Sequence, residues 1–152
     1  MEAARGDAGL TRAAPLLLVP GLLLAACGGD DHLSKDEYVK RFRAATQEAL
    51  VAGQANGRAE DLRAVAILRT LAGRIDALNA PKEVEDPQKE FVAAVRAQAA
   101  ELQHDVEAYR AGDKKALDAS RRRGGPSPEI AEREERALEE YKEKGYRVAN
   151  LD

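Results

Sequence analysis

The chain has 152 residues with 24 Lys+Arg against 27 Asp+Glu, a formal net charge of -3, two His, one Cys and no Trp. A single cysteine excludes an intramolecular disulfide and a thiolate-rich zinc cluster, and two histidines leave little material for a histidine metal site. The slight acidity gives polyanions no electrostatic footing, which sets nucleic-acid binding aside.

Ala13 to Ala26 reads AAPLLLVPGLLLAA, an apolar run too short to cross a bilayer and ended by small residues. That is the profile of a secretory h-region with its cleavage site. Cys27 follows at once. Leu24, Ala25, Ala26 and Cys27 match the aliphatic, small, small, Cys pattern of the bacterial lipobox. This resemblance implies diacylglyceryl transfer (palmitate being a usual chain) to the Cys27 sulfur, cleavage before Cys27, and acylation of its new amine. The expected organisation is a lipoprotein signal peptide over 1–26, a lipidated tether over 27–33 and a bundle domain over 34–152. Gly28, Gly29, Asp30 and Asp31 make the tether polar and flexible. Two or three acyl chains bury tens of methylenes at roughly 0.8 kcal/mol each, so the expected location is the extracytoplasmic face of the cell membrane. The competing reading of Cys27 is a buried free thiol in a core helix.

Beyond the tether the pattern is helical throughout. Ser34 stands three residues before Glu37, a capping-box spacing, and Tyr38, Phe42, Ala45, Ala49 and Leu50 recur at helical steps up to Gly53. Leu62, Val65, Leu68, Leu71, Ile75 and Leu78 mark a second apolar face ending before Pro81, with Ile67 off the stripe. Asp86 before Pro87 reads as a cap and a first-turn proline, opening a third helix whose stripe is Phe91, Val95, Ala99, Leu102, Val106 and Tyr109. Asp113 caps a shorter segment to about Arg123, and Gly124, Gly125, Pro126, Ser127 and Pro128 interrupt it. Ser127 and Pro128 then cap a last helix carrying Ile130, Ala137, Leu138 and Tyr141, with Tyr146 and Val148 beyond its end near Gly145. No stretch alternates as a strand does. The expected fold is all-α, an antiparallel up-down bundle of about four helices, the fourth interrupted.

Four constellations bear on chemistry. Glu101 and His104 have the Glu-x-x-His spacing of di-metal bundles, but at 100° per residue His104 falls on the side opposite the apolar stripe, so a solvated face is expected rather than a metal site. The run from Glu132 to Lys144 mixes signs at three- and four-residue spacings, as in Glu132 with Arg136 and Glu140 with Lys144, the pattern of an exposed helix. Arg121, Arg122 and Arg123 form the one dense basic cluster, placed either to meet lipid phosphates or an acidic partner or to lie solvated in a loop. Tyr38, Tyr109, Tyr141 and Tyr146 either line a ligand cleft or pack in the core with their hydroxyls at the surface, the second being expected. No Gly-rich phosphate loop, Ser/His/Asp order or Cys/His pair occurs, so neither an enzyme nor a cofactor is expected.

The whole pattern resembles the small alanine-rich membrane lipoproteins of high-G+C Gram-positive bacteria. The resemblance rests on the lipobox with Gly28 and Gly29, the opening Leu33, Ser34, Lys35, Asp36, Glu37 and Tyr38, the Leu78 to Pro81 helix end, Ala111, Gly112 and Asp113, and the terminal Gly145, Tyr146, Arg147 and Val148. Such proteins often carry one cysteine in the first helix and another near the C-terminus, and Thr46 and Ala149 stand there in this chain. The resemblance implies a lipid-anchored envelope protein and carries over neither a disulfide nor an activity. By location and subtraction, the expected function is contact with an envelope protein as a binding, adaptor or accessory subunit. A small-ligand receptor opening around Gly124 to Pro128, or a spacer, is the alternative.

Overall fold

Short apolar stripes on alanine-rich segments make helices that bury little each, and they order only by packing together. The computed structural model describes residues 32–56 and 62–149. The segment expected to be a signal peptide, with Leu24, Ala25 and Ala26, and the expected tether from Cys27 to Asp31 lie outside the described residues. The helices are α1 (Lys35–Asn56), α2 (Leu62–Asp76), α3 (Glu85–Arg110), α4 (Lys114–Arg123) and α5 (Pro128–Glu143), with one 3₁₀ turn at Lys82–Val84. No strand occurs among the described residues.

Cross-helix contacts fix the directions. The Leu33 amide donates to the Asn79 carbonyl at 2.8 Å while Arg74 meets Glu48, so α2 descends along α1. Arg96 holds Asp76 at 2.7 Å and Arg69 meets Gln103, so α3 rises along α2. Arg123 meets Glu101, and Arg133 holds Glu90 at 2.7 Å, so α4 and α5 descend along α3 as two pieces of one broken helix. The all-α antiparallel up-down bundle with an interrupted fourth helix is the observed fold.

Rings fill the base of the bundle. Tyr38 and Phe42 of α1, Phe91 of α3, Tyr141 of α5 and Tyr146 beyond it touch one another with centroids 5.0 to 6.1 Å apart. Tyr38, Phe42 and Tyr141 are fully buried. The expectation that the tyrosine hydroxyls reach the surface fails for Tyr38 and Tyr141, whose hydroxyls bond each other at 2.5 Å inside the core. Tyr146 is positioned by a Schellman turn at the end of α5: Gly145 takes φ +76°, its amide donates to the Lys142 carbonyl at 2.8 Å, and the Tyr146 amide donates to the Tyr141 carbonyl at 2.7 Å. Gly112 (φ +100°) ends α3 in the same way, with the Asp113 amide on the Ala108 carbonyl at 2.9 Å.

Several local expectations need correction. The Ser34 hydroxyl accepts from the Glu37 amide at 3.4 Å, but Glu37 turns to Arg41 at 2.8 Å, so only half of the capping box forms. Asp86 is not the cap of α3. The 3₁₀ turn runs straight into the helix and Val84 takes the cap position with no side-chain bond, leaving Asp86 and Pro87 inside the first turn. Ser127 caps α5 by position only, without a side-chain bond. Asp113 does cap α4, accepting from the Lys115 amide at 3.0 Å. Leu50 and Leu62, read as core, are 60% and 38% exposed, because α1 packs closely only on α2 and α5, packed on α3, leaves a cleft beside the outer half of α1.

The hydroxyl pair yields a test. Tyr38→Phe or Tyr141→Phe alone strands a buried hydroxyl and should cost about 1–3 kcal/mol, whereas the double variant should lie close to wild type in urea unfolding. Burial pushes both phenols above their ordinary value, so only the unfolded chain ionises near pH 10. Their contribution is therefore complete below that pH and falls as pH rises through it, and the double variant should lose less stability between pH 9 and 11 than wild type.

Candidate functional site

The first described residues are fastened at the base of the bundle. The Leu33 side chain packs against the ring cluster, and His32 Nδ1 lies 2.5 Å from the Ala80 carbonyl oxygen, the tautomer that protonates Nδ1 making it the donor. Any chain arriving from Cys27 thus joins the fold where α1 begins and where α2 turns into α3. At 1.5 Å per residue, the opposite end of the 22-residue α1 is about 33 Å away. Two-thirds of the way along it, about 23 Å from the base, Leu50 and Val51 are 60% and 55% exposed.

The constellations read from sequence do not converge into a catalytic or metal centre. The His104 side chain is 81% exposed and lies 3.7 Å from Asp105, while Glu101 turns away from it. Glu101 instead clamps the break in the fourth helix, one carboxylate oxygen taking Arg123 and the other the Ser127 amide at 2.9 Å. The segment expected to open around Gly124 to Pro128 is tied to α3 by that carboxylate. Arg123 is thereby committed and Arg122 is exposed, while the side chain of Arg121 lies outside the described residues. Among the described residues no group of three or more His, Cys, Asp and Glu side chains is placed to hold a metal ion. No described helix is long and apolar enough to cross a membrane.

The charge run on α5 is wired differently from its sequence pattern. Arg133 crosses to Glu90, whose carboxyl is held below its ordinary range chiefly by that hydrogen bond, and Lys142 reaches Glu139 at 3.1 Å. The expected intrahelical pairs, Glu132 with Arg136 and Glu140 with Lys144, are not formed; of the two arginines of α5, Arg133 is directed to a neighbouring helix. Of the tyrosines, Tyr38, Tyr141 and Tyr146 are core residues and Tyr109 is half-buried on α3. The Tyr146 hydroxyl donates to Glu83 at 2.6 Å.

Two clefts flank the outer half of α1. One of about 360 Å³ runs between α1 and α2, floored by Ala45, Ala49, Ala66, Ile67 and Leu71 and rimmed by the Glu48 and Arg74 pair. Ile67, off the apolar stripe in sequence, finds its neighbour here. The other, about 620 Å³, opens between α1, α5 and the C-terminal segment and is walled by Leu50, Leu138 and Val148 above the edges of Phe42 and Phe91. Thr46 and Ala149 both line it. Its polar groups are Lys40, Arg43, Gln47 and Glu134. Sequence reading placed Glu134 among the exposed charges, yet it lies four residues from both Ile130 and Leu138, on the apolar stripe itself. That spacing was the available signal.

No protein-family model, curated protein or solved structure matches the chain.

If Glu101 is a clamp and not half of a metal pair, Glu101→Ala should cost about 1–2 kcal/mol in urea unfolding through the lost amide and guanidinium bonds. His104→Ala should stay within about 0.5 kcal/mol of wild type, as exposed surface changes do. Hydrogen exchange in α4 should rise in the first variant and not in the second.

Proposed function

We propose that this chain is a lipid-anchored, extracytoplasmic helical bundle that acts by contact, as a binding or adaptor protein for another protein of the cell envelope. The single observation that carries the reading is the run Leu24, Ala25, Ala26, Cys27 directly after an apolar segment of signal-peptide length. The placement of groups in the bundle supports it. Residues 32 and 33, the described end nearest Cys27, are fastened at the base, while the exposed apolar side chains Leu50 and Val51 stand about 23 Å along α1 from it. An acylated Cys27 would keep the base near the bilayer and leave that apolar patch clear of it, free to meet a neighbouring protein.

Two measurements test it. In the native host, a labelled fatty acid should mark the protein, and Cys27→Ser should lose the label and leave the signal segment uncleaved; no label on wild type, or label kept by Cys27→Ser, would refute the anchor. A photocrosslinking amino acid at position 50 should then give a discrete adduct that is lost with Cys27→Ser. The same group at exposed position 135 should not give it. Equal labelling from both positions would refute a contact directed at the Leu50 and Val51 patch.

A further inference from the structure

The cleft between α1 and α5 holds a carboxylate that the packing of the bundle does not use. Glu134 is half-buried on the α5 stripe between Ile130 and Leu138, and burial alone pushes its carboxyl above the ordinary range. Carboxylates that bridge helices elsewhere each hold an arginine: Glu48 with Arg74, Asp76 with Arg96, Glu90 with Arg133, Glu101 with Arg123. Glu134 has neither a hydrogen bond nor an ion pair with any described residue. A carboxylate held against apolar walls without a cation is unfavourable, and a leucine at that position would complete the stripe at no such cost.

The cations on the facing wall do not supply the missing partner. Arg43 directs its Nε to the Arg147 carbonyl at 2.8 Å. Tyr38 faces Tyr141 and Lys35 faces Lys144, so the antiparallel run sets Glu134 level with about Ala45. Lys40 then lies about 7 Å further down the α1 axis. Leu138, Val148, Ala44, Phe91 and Phe42 line the same cleft, and Leu50 lies as far up the axis from that level as Lys40 lies down it. The space, about 620 Å³, is in the range of small-molecule sites, mostly apolar with a few polar groups that fix orientation.

We infer that this cleft binds a small molecule with an apolar body and one ammonium group, the ammonium seated on the Glu134 carboxylate and the body along Leu138, Val148 and Leu50. The site depends only on the fold of residues 32–149 and is independent of whether Cys27 is acylated. Octylammonium, octanoate and octanol share one apolar body and separate the contributions. With the purified full chain, calorimetric titration should show saturable binding of octylammonium at least tenfold tighter than of the other two. Glu134→Gln, checked for native circular dichroism, should abolish that preference, and Glu135→Gln at the exposed neighbour should preserve it. Glu134→Leu should raise the melting temperature while removing the ammonium preference, which separates loss of the site from loss of the fold. Equal binding of all three probes, retention of the preference in Glu134→Gln, tighter binding of octanoate through Lys40, or no saturable binding would each overturn the assignment.

Discussion

The ring cluster around Tyr38 and Tyr141 is the packing on which the rest of the bundle depends. An alanine-rich chain with 4% aromatic residues has few side chains large enough to bridge two helices. Here five of its six rings gather at one end of the bundle. Placing two phenols in the middle of that cluster brings two polar oxygens into the core, and a single bond between them satisfies both. The bond also fixes register. If α5 slid by a turn along α1, each hydroxyl would face apolar neighbours without a partner, a penalty that pure ring packing would not impose.

From that base the order of assembly follows α3. It is the one helix that contacts α2, α4 and α5, and Phe91, Val92, Ala94 and Val95 are all buried because neighbours lie on more than one side. Gln88 donates to the carbonyls of Ile75 and Leu78, capping the end of α2 from within the core, which lets the chain turn tightly through Pro81 into the 3₁₀ turn. The fourth helix breaks at Gly124 to Pro128, and Glu101 joins the two pieces back to α3 by a charged and a neutral donor. A proline-containing interruption that exposes backbone amides needs such an acceptor, which gives Glu101 a structural employment that its spacing to His104 did not suggest.

The helices and their order were legible because stripes such as Phe91, Val95, Ala99 and Val106 depend only on period, and period is local. The caps were less legible. Asp86 before Pro87 is a good cap signal, but the 3₁₀ turn ahead of it already supplied the first turn, a tertiary arrangement set by Pro81 and Val84. Leu50 and Leu62 have core-like spacing yet lie where no neighbour arrives, since burial depends on what the rest of the chain can cover. Glu134 shows the reverse failure. Charge made it look exposed among Glu132, Arg133 and Glu135, while its place on the stripe put it against α1. The lipobox reading rests on a short sequence pattern alone, to which the fold of residues 32–149 adds nothing.

The same distribution of contacts grades stability along α1. Its first half is held by the Leu33 backbone bond, the ring cluster, and Arg43 on the Arg147 carbonyl. Past Ala45 it rests against α2 through small side chains and the exposed Glu48 and Arg74 pair, with a cleft on either side. Alanine contacts bury little area and an exposed ion pair contributes at most about 1 kcal/mol, so this half opens at lower free energy than the base. The loosely covered half of α1, with Leu50 on the lip of the larger cleft, is where an incoming molecule can bury apolar surface that the fold itself leaves in water.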